Sequence, residues 1–201
     1  MTLVSNFEAR APALWAGDTG TRNVTIGLES PADFWARERL LDTAFGVARF
    51  EKTVERLREG RLPAEGLAFA AKDAKGLIGT LRLWHIRAGG TPALLLGPLA
   101  VAKACRSQGI GRGLIEEALW KATDAGHAAV LLVGDASYYE PFGFSRRHTL
   151  GLSLPGPVDA QRFLGLELTP GALKGVRGIV TAAGVREFPA RRSEIAVRRA
   201  A

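Results

Sequence analysis

Residues 99–113 read Leu-Ala-Val-Ala-Lys-Ala-Cys-Arg-Ser-Gln-Gly-Ile-Gly-Arg-Gly. An apolar run from Leu94 to Val101 ends in a short basic turn, where Arg106, Gly109 and Gly111 follow at spacing R-x-x-G-x-G. Ile110, Leu114, Ala118 and Ala122 then share one face of an amphipathic helix. Strand, glycine turn and helix N-terminus together make an anion site. The first helical amides have no partner inside the helix, and the dipole adds partial positive charge at that end. Glycines let the backbone approach a phosphate with no Cβ in between. No Gly-Lys-Ser/Thr follows, which excludes the P-loop, and glycines at 109, 111 and 113 do not complete a G-x-G-x-x-G dinucleotide turn.

A second segment, residues 129–144, reads Ala-Val-Leu-Leu-Val-Gly-Asp-Ala-Ser-Tyr-Tyr-Glu-Pro-Phe-Gly-Phe. Ala129–Val133 has the length and composition of a buried strand. Tyr139, Gly143 and Phe144 follow as Y-x-x-x-G-F, separated from Arg106 by room for one helix and one strand. The two segments resemble motifs A and B of the GCN5-related N-acetyltransferases (GNAT). With Pro155-Gly156-Pro157 and the run Glu167 to Leu173, the wording resembles a branch of predicted bacterial N-acetyltransferases carrying a C-terminal extension.

That resemblance implies an α/β (α+β) GNAT fold. Its mixed, twisted sheet is flanked by helices on both faces and splays between the motif A strand and the Ala129–Val133 strand. It also implies an acetyl-CoA-dependent N-acetyltransferase, an acyltransferase acting on a primary amine, with a non-catalytic acyl-CoA sensor or scaffold as the alternative. Acetyl-CoA, the co-substrate, would lie on Leu99, Ala100, Val101, Arg106, Ser107, Gln108, Gly109, Ile110, Gly111, Arg112 and Tyr139. The Val101 amide would hold the oxyanion, or Leu99 if a bulge sits earlier. The Tyr139 hydroxyl would protonate the departing thiolate, with adjacent Tyr138 as the competing register. Lys103, Arg112 and Arg146 or Arg147 are the candidates for the 3′-phosphate.

The general base is not legible. Some family members place a Glu on the motif A strand, but Leu94–Val101 holds no acid. Glu29, Glu38, Asp42, His85 and Glu140, or water, stay open. Cys105 reads as structural, because acetyl passes directly from thioester to amine in this family. His127 and His148 read as loop residues, and no His/Cys/acid spacing suggests a metal site. The acceptor pocket is expected from residues 34–65 with the segment near Trp84. There Arg56, Arg58 and Arg61 would either meet an anionic acceptor or form a solvated helix face.

Composition bounds the rest. The 201 residues suit one domain, expected as an irregular leader over 1–22, an acetyltransferase core over 23–150 and an extension over 151–201 that completes the sheet and ends in a basic tail. Trp15 would dock the leader on the body. No stretch is apolar enough to span a membrane, and no basic region followed by a long apolar one marks a signal peptide. One cysteine forms no internal disulfide, so the expectation is cytoplasmic. The net charge of +7 suits an anionic cofactor. Arg191, Arg192, Arg198 and Arg199 have no interleaved aromatics for base stacking, so nucleic acid is disfavoured as a partner. A homodimer is expected only by analogy with similar enzymes.

Periodicity predicts a strand through Val24, Ile26 and Leu28, a helix opened by Ser30-Pro31-Ala32-Asp33, a second helix over Arg49–Glu59 and a hairpin of Leu67–Lys72 with Leu77–Arg87. A strand over Thr91–Val101 and the motif A helix to about Ala125 follow. Next come the Ala129–Val133 strand, a helical turn over Ser137–Phe142 and strands near Leu150–Leu154 and Phe163–Leu168.

Overall fold

The computed structural model describes residues 23–187. The expected leader with Trp15, and Arg191, Arg192, Arg198 and Arg199, lie outside the described residues. Strand β1 (Thr25–Leu28) leads to Ser30, which closes a capping box with Asp33. Pro31 pre-sets the first turn, and helix α1 (Phe34–Phe45) follows.

The expected helix over Arg49–Glu59 is replaced by two 3₁₀ segments, Val47–Glu51 and Thr53–Leu57, broken at extended Lys52. Tertiary contacts override the helical pattern. Thr53 donates its hydroxyl to the Pro157 carbonyl at 2.7 Å, and Arg56 donates to the Pro155 carbonyl at 3.0 Å. The segment is thereby tied to the distant chain around residues 155–157.

Strands β2 (Ala68–Asp73), β3 (Gly76–Ala88) and β4 (Thr91–Val101) form an antiparallel meander. Helix α2 (Ile110–Asp124) crosses over to β5 (Ala129–Val133), which pairs with β4 in parallel. The chain continues through α3 (Ala136–Tyr139), β6 (Leu152–Ser153), β7 (Phe163–Glu167) and β8 (Gly178–Ala182). The main sheet runs β1-β2-β3-β4-β5-β7, with β8 on β3 and β6 on β8. Two features depart from the sequence reading. The Leu150–Leu154 strand shrinks to β6, and β8 lies in the extension expected to complete the sheet, where the pattern had placed no strand. β8 takes the Ile86–Ala88 stretch of β3, past the last β2 pairing at Arg82.

The two faces of the sheet bury different clusters. Ile110, Leu114, Ala118 and Ala122 of α2 pack on Phe69, Leu81, Leu83 and Leu94. On the other face Leu57, Trp84, Ile86, Leu95, Leu131, Phe163 and Val180 form a second core. Strand β3 alternates between them. Gly79 packs beneath Leu114 and Ile110, while Arg82 and Trp84 face the α1 side.

Candidate functional site

The site begins with a register slip in β4. Leu83 pairs with Leu96 but Leu81 pairs with Leu99, so β4 carries one extra residue at Gly97–Pro98. Gly97 holds φ +125, a region open to glycine, and its carbonyl accepts the Trp84 indole N–H at 2.6 Å. Pro98 has no amide proton. Past the bulge, the Ala102 amide donates to Ile78 of β3 at 2.8 Å. Antiparallel alternation then turns the Ala100 amide toward β3, and the Leu99 and Val101 amides away from it. On that outer side β5 pairs with β4 only at Leu94 and Leu95. The strands therefore part, and a wedge opens with two strand amides facing into it. Arg106 donates Nε to the Val101 carbonyl at 3.2 Å, which ties the basic turn to the end of β4.

The turn reaches α2 through Ser107 (φ +60) and Gly109 (φ +77). The Gly113 amide bonds the Gly109 carbonyl at 2.9 Å, so the amides of Ile110, Gly111 and Arg112 precede the first helical bond. Gly111 lets the Tyr138 hydroxyl approach the backbone at this end of the helix: a Cβ there would stand 2.5 Å from it. Gln108 is held by a bond to the Ala104 carbonyl at 3.2 Å. Cys105 is buried in the core beneath the turn, in keeping with a structural role.

Asp135 caps α3 by accepting the Ser137 amide at 3.1 Å, and this sets the adjacent tyrosines. The Tyr139 ring lies half-buried against Gly134 and edge-on to Phe144, centroids 5.9 Å apart. Burial pushes its phenol well above the usual range, and the neighbouring Tyr138 adds to the shift. Its hydroxyl has no hydrogen-bond partner among the described residues. Tyr138 is exposed and points its hydroxyl at the start of α2. Burial raises its pKa and Arg112 opposes the rise.

Of the basic candidates for a phosphate, Arg112 and Lys103 are exposed next to the turn. Arg146 donates to the Thr149 hydroxyl at 2.8 Å and Arg147 to His148 at 3.0 Å. Those two therefore already have local partners.

A cleft of about 1330 Å³ lies on the α1 face, lined among others by Glu29, Arg37, Glu38, Arg58, Arg82 and Trp84. This is the region expected to hold the acceptor. Glu29 sits between two guanidiniums, paired with Arg37 and accepting Arg82 Nε at 2.8 Å. Glu38 accepts Arg49 at 2.6 Å and Arg37 at 2.9 Å. Burial alone would raise the Glu38 pKa. The Arg49 hydrogen bond and the charges of Arg37 and Arg49 outweigh it and hold the group below the usual range. Both carboxylates are thus engaged by arginine, Glu29 by Arg37 and Arg82 and Glu38 by Arg37 and Arg49. His85 lines the cleft without an ion pair among the described residues, and its ring lies tilted against that of His127, centroids 5.4 Å apart. Asp42 binds Arg49 at 3.0 Å, and neither it nor exposed Glu140 lines the cleft.

Sequence reasoning left Arg58 between two readings, and the structure removes the solvated one: its side chain is only 9% exposed. Arg56 and Arg61 instead bond the carbonyls of Pro155 and Gly184. Glu55 and Glu59 also line the cleft and were not singled out. Nothing in their spacing marks them, because what places them at the cleft is the fold of the 3₁₀ segments rather than a pattern within residues 49–59. No group of three or more metal-binding side chains occurs among the described residues, and no helix there is long and apolar enough to cross a membrane.

Residues 64–146 match the family model for the acetyltransferase (GNAT) domain. An uncharacterised N-acetyltransferase of Escherichia coli, YhbS, is 34% identical over 159 residues, covering 77% of this chain and 93% of that protein. The crystal structure of E. coli YhbS in complex with CoA aligns at TM-score 0.68 and 29% identity, covering 85% of this chain and 98% of that one. A GNAT-family acetyltransferase from Brucella melitensis, solved with acetyl-CoA, shares the fold at TM-score 0.58 and 22% identity, covering 80% of this chain and 96% of its own.

Proposed function

This chain belongs to the GCN5-related N-acetyltransferases and is an acyltransferase; we propose that it moves acetyl from acetyl-CoA directly onto a primary amine. The observation that carries the reading is the wedge between β4 and β5, which opens beside the glycine turn. The wedge suits a pantetheine arm, and the turn suits the pyrophosphate at its far end. The residues fit the coenzyme: free amides at 110–112, no Cβ at Gly111, and exposed Arg112 and Lys103 for a 3′-phosphate.

In this reading the neutral amine nitrogen attacks the thioester carbon and the carbonyl oxygen becomes an oxyanion. The Leu99 amide takes that oxygen, with Val101 one pleat further on. The bulge at Gly97–Pro98 sits just before Leu99 and favours it over Val101. The Tyr139 hydroxyl donates to the sulfur as the C–S bond breaks, and solvent restores its proton. The amine's surplus proton leaves through water or His85. The products are an N-acetyl amine and the CoA thiol. A cytoplasmic location and a homodimer remain part of the proposal.

Two measurements address the coenzyme. Gly111→Asp adds bulk and negative charge where the pyrophosphate should lie. Tyr138 is exposed and can swing aside, so the protein should fold. Calorimetry should then show CoA affinity reduced by at least about tenfold, the loss of one charge-assisted hydrogen bond. Unchanged affinity in the folded variant would remove the site. Dephospho-CoA should bind more weakly than CoA, with a gap that narrows as salt rises. Equal affinity at low salt would dismiss Arg112 and Lys103 as phosphate ligands. Release of CoA thiol over a broad amine panel tests transfer itself. Tight CoA binding with no release on any amine would favour a sensor.

A further inference from the structure

Arg58 is a buried cation with fewer partners than its five N–H groups need. Nε donates to the Val54 carbonyl at 3.3 Å, and Nη2 lies 3.2 Å from Glu55 Oε2. Nη1 has no partner among the described residues. It stands 4.0 Å from the place a Cβ on Gly97 would occupy, at the β4 bulge. Burial pulls its pKa down, Glu55 resists, and Arg49 and Arg82 push with the burial. Arginine stays charged all the same.

The most buried side chains of the cleft hold one more cation than anion, whereas its outer lining, with Glu59, Glu65 and Glu187 against Arg61, is acidic. Arg37, Arg49, Arg58 and Arg82 line the cleft with side chains no more than 16% exposed, against three carboxylates, Glu29, Glu38 and Glu55, no more than 19% exposed. Glu29 and Glu38 are already shared among Arg37, Arg49 and Arg82. Asp42 meets Arg49 from outside the lining. A buried guanidinium with a free fork arm is costly unless a ligand supplies the missing anion. Glu59 and Glu65 are exposed at the rim, where they would draw in an ammonium group.

We propose that the acceptor is a short amino acid whose free carboxylate is taken by Arg58 Nη1 while its amine meets the thioester beside Leu99. The placement sets the length. Arg58 reaches Gly97, two residues before Leu99, so only a few bonds separate carboxylate from amine. This inference rests on the acetyl-transfer reading above.

The test assays the common L-amino acids, β-alanine and γ-aminobutyrate, each beside its primary amide, by CoA thiol release. Calorimetry of the same compounds on CoA-loaded protein gives a readout without turnover. At least one carboxylate should exceed its amide by about tenfold to a hundredfold in kcat/KM, the range of one hydrogen bond to a charged group. Arg58→Gln should erase that preference, and Arg58→Lys should keep part of it. The wild-type comparison stands even where a variant fails to fold. If amides are acetylated as well as carboxylates, the inference falls while acetyl transfer stands. If no amine is acetylated yet a carboxylate binds wild type and not Arg58→Gln, the anion site stands and the transfer reading falls. If no carboxylate is preferred in either assay, the Arg58 site is refuted.

Discussion

Tyr139→Phe is expected to lower kcat by about 10²–10⁴, the usual contribution of a positioned general acid. The ring stays, so its packing on Gly134 and Phe144 stays, and stability should hardly move. Acetyl-CoA affinity should change little, because in the proposed mechanism the hydroxyl acts as charge develops on sulfur. Tyr138→Phe is the informative partner. Its hydroxyl stands at Gly111 on the opening turn of α2, so its loss should touch CoA affinity and leave kcat near wild type. The pH profile adds a sign. Burial raises the Tyr139 pKa, so the phenol is in its active, protonated form at neutral pH, and activity through it is lost only as pH climbs past that raised value. No basic limb from Tyr139 should appear between about pH 7 and about pH 9. A reversed ranking of the two variants would shift the register by one residue. Full kcat in both, with chemistry rate-limiting, would leave protonation of the thiolate to solvent.

The parts legible in the sequence share one property: they are local. Ser30 and Asp33 announce a capping box, the glycines at 109 and 111 announce a helix start, and Asp135 announces a cap. Each is decided within about four residues. The motif A strand was predicted with the bounds it has, Thr91–Val101, but its bulge was not placed. A signal was present, since Gly-Pro inside a strand pattern marks a bulge or an open edge. Read that way, it would have favoured Leu99 over Val101 from the outset. Long-range partners decided the rest. The 3₁₀ chain at 47–57 follows its ties to Pro155 and Pro157, and β8 exists because β3 outruns β2. Arg58 is buried by an arrangement that no spacing within its own segment encodes.

The acid–arginine network on the α1 face gives the other large effect. Glu29→Gln should destabilise the fold by about 3 kcal/mol, the low end for breaking a buried ion pair, since glutamine keeps one carbonyl acceptor. Glu29 is 6% exposed, with Arg37 at 4% and Arg82 at 16%. Removing its charge leaves Arg37 with Glu38 alone and takes from Arg82 its carboxylate partner, with the two guanidiniums close enough to repel. Arg112→Ala is the contrast. It breaks an exposed pair with Glu116 at 3.7 Å and should cost under about 0.5 kcal/mol. Urea unfolding measures both. The pH dependence follows from Asp33, Glu38 and Glu167, whose pKa values all lie below the ordinary range in the folded chain. Depressed carboxylates add stability that is fully present above their unfolded pKa near 4 and is lost as pH falls through the lower folded values. Stability should therefore decline below about pH 4. The Glu29 variant also settles a question of chemistry. A general base would lose turnover in a protein that melts like wild type. A carboxylate committed to Arg37 and Arg82 loses stability first, and any fall in turnover should be matched by a disordered cleft that osmolyte partly restores. Normal stability with kcat reduced by more than about 10² would make Glu29 the base and overturn its assignment as a structural anion.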